Sequence, residues 1–193
     1  MTRMLKSCLP IVALASAAAA SAAPVNYRID PAHTFPSFEA DHMGISVWRG
    51  KFNRSSGQVV LDRDAGSGTV TIEIDAASID FGHDALNAWA RGKDFLEAKK
   101  YPKARYTGRL ETFVDGRPTQ AVGELRLHGV TRPVTLTIGH FKCVPHPLSK
   151  RELCGADATA TIRRDEFRLD AGKDYGFRMD VDLRIQVEAV AER

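Results

Sequence analysis

His140, Cys143, His146 and Cys154 put two imidazoles and two thiols into one short stretch, the donor types of a four-coordinate zinc centre. Pro145 and Pro147 bracket His146 and stiffen its backbone, and the Cys-x2-His spacing has no second compact pair to complete such a site. In an oxidising compartment Cys143 and Cys154 would instead join in a disulfide, closing a loop of about a dozen residues worth ~3 kcal/mol in chain entropy. The disulfide is the expectation and zinc the alternative. No other constellation selects a catalyst. His83-Asp84 offers a base beside an orienting acid, but adjacent side chains rarely meet in the required geometry. Gly66-Ser67-Gly68 lacks the frame of a nucleophile elbow, and Asp75, Asp80 and Glu97 are carboxylates with no spacing that pairs them. The expectation is therefore no catalytic residue, no metal and no required cofactor.

The compartment follows from the first residues. Arg3 and Lys6 precede an apolar run from Leu9 to Ala20, and Ala20-Ser21-Ala22 supplies small residues for cleavage. This is the pattern of a secretory signal peptide over residues 1–22, too short in its apolar part to span a bilayer. Cys8 precedes the apolar run and so is not placed for lipid attachment. Of 27 basic residues two leave with the leader, so 25 face 24 acidic ones and the net charge falls from +3 to +1. Such a balance gives no footprint for nucleic acid. The short basic pairs Lys99-Lys100, Lys150-Arg151 and Arg163-Arg164 read as solvated faces.

Apolar residues at every second position dominate residues 23–193, expected to form one domain. Val181, Leu183, Ile185, Val187 and Ala189 alternate with polar residues, as do Val70, Ile72 and Ile74, and Val134, Leu136 and Ile138. Shorter runs occur at Val59 and Leu61, at Leu125 and Leu127, and at Ala158, Ala160 and Ile162. This is the period of antiparallel strands with one buried face. Turns are expected at Arg54-Ser55-Ser56-Gly57, Ala65-Gly66-Ser67-Gly68, Asp115-Gly116-Arg117-Pro118 and His128-Gly129. Residues 84–100 are the exception: Leu86, Trp89 and Leu96 can share a helical face, with Gly92 dividing the segment into two short helices.

Several stretches, in order, resemble the YceI-like family. They are Tyr27-Arg28-Ile29-Asp30-Pro31-Ala32-His33-Thr34, His42-Met43-Gly44-Ile45-Ser46, Arg49-Gly50-Lys51-Phe52, Ala77-Ser78-Ile79-Asp80, Lys93-Asp94-Phe95-Leu96 with Tyr101-Pro102, Gly123 to Val134, and Ile162 to Phe167. The resemblance implies an all-β, lipocalin-like extended antiparallel barrel of about eight strands, with a short helical insertion and an apolar tunnel for an isoprenoid chain of the kind carried by quinones and prenyl phosphates. It also implies a periplasmic protein. One departure stands out: Asn87-Ala88-Trp89-Ala90 replaces an Asp-x-His-Leu sequence common in the family, at a segment that could shape the tunnel mouth.

Candidate ligand contacts are Phe38, Trp48, Phe52, Leu86, Trp89, Phe95, Leu127 and Phe141, with His42 and Arg91 as polar groups for a head-group oxygen. The function expected is a periplasmic carrier or binding protein for an isoprenoid lipid or quinone, in transient contact with a membrane or membrane protein. A homodimer is one option for its assembly. The alternatives are a stress-response or interaction module with no bound lipid and, ranked below it, a metal-dependent or hydrolytic enzyme.

Overall fold

The structure is a computed structural model that describes residues 23–193, so the leader expected at 1–22 lies outside the described residues. Eleven strands form one antiparallel sheet: β1 Val25–Ile29, β2 Phe35–His42, β3 Ser46–Phe52, β4 Ser55–Asp62, β5 Ser67–Asp75, β6 Ile79–Asp80, β7 Lys103–Val114, β8 Arg117–Leu127, β9 Val130–Pro145, β10 Glu152–Arg163 and β11 Asp180–Ala191. Eight of them close a ring in the order β1-β4-β5-β7-β8-β9-β10-β11, with β11 returning to β1. This is the lipocalin-like barrel that the family resemblance implies.

β11 is shared. Its last residues, Ala189–Ala191, pair with β1, whereas Val181–Gln186 pair with β2. β2 then carries β3, and β3 carries the two-residue β6, so a three-stranded arm leaves the ring at one end. At the fork, the Ser55 hydroxyl donates to Thr34 O at 3.1 Å.

Alternation places Val181, Leu183, Ile185, Val187 and Ala189 on the interior wall. In β9 that parity breaks. Ile138 pairs with Ala158 and His140 with Asp157, which leaves Gly139 as an extra residue. A one-residue bulge reverses the side-chain faces beyond it. His140 is therefore exposed, and Phe141 joins the wall.

Tyr106 is 6% exposed, and its hydroxyl donates to Ala121 O at 2.8 Å and Val134 O at 3.1 Å. Gly108 and Gly123 face each other across β7 and β8, Gly108 leaving room for the Tyr106 ring and Gly123 for the β7 backbone. A Cβ on Gly108 would lie 2.9 Å from the Tyr106 hydroxyl, and one on Gly123 only 2.2 Å from Thr107 O.

Two expected local features differ. Ser55-Ser56-Gly57 belongs to β4, paired with Ile74, Glu73 and Ile72, and not to a turn. Residues 84–100 hold one helix, α1 Asp84–Arg91, ended at Gly92, after which the chain runs through turns to Tyr101. A second helix is denied its hydrogen bonds because Leu96 and Ala98 amides donate back to Ala90 and Arg91 carbonyls. The hairpin turn at Asp115-Gly116 has φ of +50° and +69°, as a two-residue primed turn requires.

Candidate ligand-binding tunnel

The barrel encloses a cavity of about 310 Å³ whose wall is almost entirely apolar. That volume falls within the ~300–1,000 Å³ typical of small-molecule sites. Two of its polar members, Tyr106 and Thr34, are tied to the protein itself. The Tyr106 hydroxyl is held as above, and burial pushes its pKa up to about 12. Thr34 Oγ1 donates to Glu188 O at 3.2 Å.

The two ends of the barrel differ. At one, the directly opposed Cys143 and Cys154 form a disulfide between β9 and β10. Beside it the Tyr27 hydroxyl donates to Glu152 at 2.5 Å, and Arg63 donates to the other Glu152 oxygen at 2.8 Å. Burial and the neighbouring carboxylate hold the Tyr27 phenol far above its ordinary range, so it stays a neutral donor. His146, a donor of the zinc alternative, is used locally, its Nδ1 accepting from the Leu148 and Ser149 amides at 3.2 and 3.1 Å.

At the other end lie the β2–β3 hairpin, α1 and residues 164–179. Two wall residues, Trp48 and Trp89, are also exposed at the surface, at 36% and 42%. The cavity thus reaches solvent at the helical end. His42 stacks on Trp48 with centroids 4.1 Å apart and meets Phe177 edge-on at 5.1 Å. Phe81 bridges Trp48 at 6.4 Å and Phe38 at 5.3 Å. Trp89 stacks on Phe95 at 5.0 Å.

α1 is fixed by two latches. His83 caps it, its ring accepting from the Leu86 amide at 3.2 Å. Asn87 accepts from the Phe81 amide at 2.7 Å and donates to Asp80 at 3.0 Å. The Gly82 amide, Asn53 and Asn87 all donate to Asp80 and hold its carboxyl at about 2. The other two unpaired carboxylates weighed above are occupied in the same manner: Asp75 accepts from Ala77 N and pairs with Arg54, and Glu97 pairs with Lys100.

Of the ten ligand contacts expected, Phe38, Trp48, Phe52, Trp89, Phe95, Leu127 and Phe141 line the cavity. His42, Leu86 and Arg91 do not: His42 backs Trp48, and Arg91 is an exposed residue at the end of α1. Arg164 corrects the expectation of a solvated basic pair, for it is 8% exposed and belongs to the wall. Phe81, Phe177, Tyr27 and Tyr106 are wall residues that alternation could not single out.

A closed antiparallel barrel around an apolar cavity, open at its helical end, defines the lipocalin-like class. Within that class, a profile of the YceI-like domain matches residues 27–189, and the chain belongs to the YceI-like family. Protein YceI of Escherichia coli O6:H1 is 31% identical over 179 residues, covering 91% of this chain and 92% of its own. A UPF0312 protein of Photorhabdus laumondii, plu2095, is also 31% identical, covering 91% of each chain. Among solved structures, BcnA of Burkholderia cenocepacia superposes with a TM-score of 0.66 at 23% identity, over 83% of this chain and 98% of that one. A polyisoprenoid binding domain from Saccharophagus degradans, implicated in plant cell wall breakdown, gives 0.60 at 19% identity over 87% and 99%. These last two are similarities of fold.

Proposed function

We propose that this protein holds the tail of an isoprenoid lipid, as a quinone or a prenyl phosphate carries, in its barrel and serves as a periplasmic binding protein or carrier. The observation that carries the proposal is the continuous apolar wall that reaches the surface at two tryptophans. Isoprenoid tails have almost no hydrogen-bonding groups, and the cavity has almost none to offer. Burying about ten methylene-sized units at ~0.8 kcal/mol each gives roughly 8 kcal/mol before ordering costs, enough for about micromolar affinity. The polyisoprenoid binding domain from Saccharophagus degradans, alike in fold, supports this ligand class. Binding, not catalysis, is the work assigned to the site.

The basic-then-apolar sequence of residues 1–22 and the Cys143–Cys154 disulfide support export to an oxidising periplasm. Exposed apolar residues at the helical end, Met43 (49%), Ile45 (78%), Val47 (48%) and Tyr175 (78%), support transient seating on a membrane during loading. Organic extraction of protein purified from a periplasm, followed by mass spectrometry, should release an isoprenoid lipid. Repeatedly empty protein with no affinity for added quinone or prenyl phosphate would overturn the proposal and leave the interaction-module alternative.

A further inference from the structure

The wall contains two charged side chains among the described residues, Asp41 and Arg164. The Asp41 carboxylate is used locally, since both of its oxygens lie 3.1 Å from the Gly44 amide, which they anchor in the β2–β3 hairpin. Arg164 makes no ion pair within 4.0 Å, and the carboxylates of Asp165 and Asp170 act on it only from farther away. It opens the 3-10 turn Arg164–Phe167 directly after β10, at the helical end of the barrel. Nη1 donates to Leu169 O at 2.7 Å and Nη2 to Ala171 O at 2.8 Å. Those two bonds hold the side chain in place and use two of the five N–H donors of a guanidinium.

No described carboxylate lies within 4.0 Å of it, and the adjacent Asp165 is committed to Arg163 and Lys173, each at 2.9 Å. The guanidinium lies 6.0 Å from the Phe95 ring centroid, beside the Trp89–Phe95 stack that borders the opening. Nε has no protein acceptor, yet it is not sealed off, since His128 Nε2 is the only fully enclosed side-chain nitrogen or oxygen without a partner among the described residues. Burial draws the Arg164 pKa down, a sign that water no longer solvates the charge well. Buried charges are ordinarily paired, and an unpaired guanidinium in an apolar cavity favours an anionic oxygen that can take its free donors.

We propose that Arg164 anchors the ligand's head group and that the head it selects is anionic, a phosphate or diphosphate on a prenyl tail. This rests on the isoprenoid-binding function proposed above and adds a polarity to it: head at Arg164, tail running toward the disulfide end. A neutral quinone presents carbonyl oxygens to the same donors but leaves the charge uncompensated.

The test compares three ligands with the same three-unit tail: farnesyl phosphate, farnesol and a farnesyl benzoquinone. Titrations follow the fluorescence of the two tryptophans. The native protein should bind the phosphate roughly ten- to a hundredfold more tightly than the alcohol, with the quinone in between. Arg164→Gln should erase that ratio, and Arg164→Lys, which keeps the cation, should restore most of it. Equal affinity for phosphate and alcohol in the native protein overturns the inference even if both variants fail to fold, as does a preference for the quinone or a ratio that survives Arg164→Gln. Failure of all three ligands to bind would instead refute the isoprenoid function itself.

Discussion

Ala158 offers a way to measure the tunnel from inside. It lies midway along β10, between Cys154 at the closed end and Arg164 at the open one, is 6% exposed, and faces the cavity. Six residues of strand at ~3.3 Å each, tilted by about 40°, place it about 15 Å below Arg164 along the barrel axis. Ala158→Phe adds a six-carbon ring there. If the ring displaces about six methylene-sized units of a long tail, at ~0.8 kcal/mol each, binding weakens by ~5 kcal/mol, more than a thousandfold. Overpacking of a filled core costs about 1–3 kcal/mol, but here the ring enters open volume and the penalty should lie at or below the lower end. Affinity for an eight-unit prenyl ligand and for farnesyl phosphate is then compared by tryptophan fluorescence, with circular dichroism confirming the fold. The long tail should lose at least two orders of magnitude more than the short one. A folded Ala158→Phe protein that binds the long tail within twofold of the native protein would show that tails do not pass Ala158.

Three further outcomes follow from the geometry. Tyr106→Phe removes a hydroxyl shared by two carbonyls and should cost about 1–2 kcal/mol in urea denaturation, equivalent to roughly 2–8 °C in Tm; an unchanged midpoint would mean that the hydroxyl holds nothing together. Asp80 sits at about 2 when folded against 3.8 for the free side chain, so the stability it supplies is fully present above pH 4 and is lost as pH falls toward 2. The Tm advantage of the native protein over Asp80→Asn should accordingly shrink across that window, and a constant difference would contradict the role of its charge. Ile45→Glu, at an exposed hairpin tip, should reduce partition onto phospholipid vesicles about fivefold in co-sedimentation without altering Tm, whereas unchanged partition would remove this hairpin from membrane contact.

The barrel was legible where physics is local and periodic. β11 reads directly from its alternating residues because each inward side chain meets the same interior. The disulfide is readable from two cysteines and the expectation of an oxidising compartment, and α1 from its apolar spacing. Parity fails at Gly139, since a bulge depends on the neighbouring strand and extrapolation from Ile138 would have buried His140. Arg164 illustrates a different limit: beside Arg163 it looks like half of a solvated pair, but Arg163 ends β10 exposed while Arg164 opens the turn that follows and is held inward by the Leu169 and Ala171 carbonyls. The reach of the Tyr106 hydroxyl to the Ala121 and Val134 carbonyls requires a cross-strand register that no single segment contains. His42 and Arg91 were placed near the mouth by their neighbours in sequence, and only the aromatic packing shows His42 behind Trp48 and not in the wall.

The fork at β11 gives the two parts of the sheet separate mechanical lives. The eight-stranded ring is bonded on both sides of every strand, whereas the β2–β3–β6 arm hangs from β11 through the six residue pairs of β2 and ends in two residues of β6. Those pairs lie beside Trp48 and Phe38, and no pairing within the ring depends on them. The molecule therefore resembles a rigid vessel with a hinged lip: amides of the arm should exchange with solvent more readily than those of the ring. A bulky head group could pass by flexing the lip, without melting the container that holds the tail.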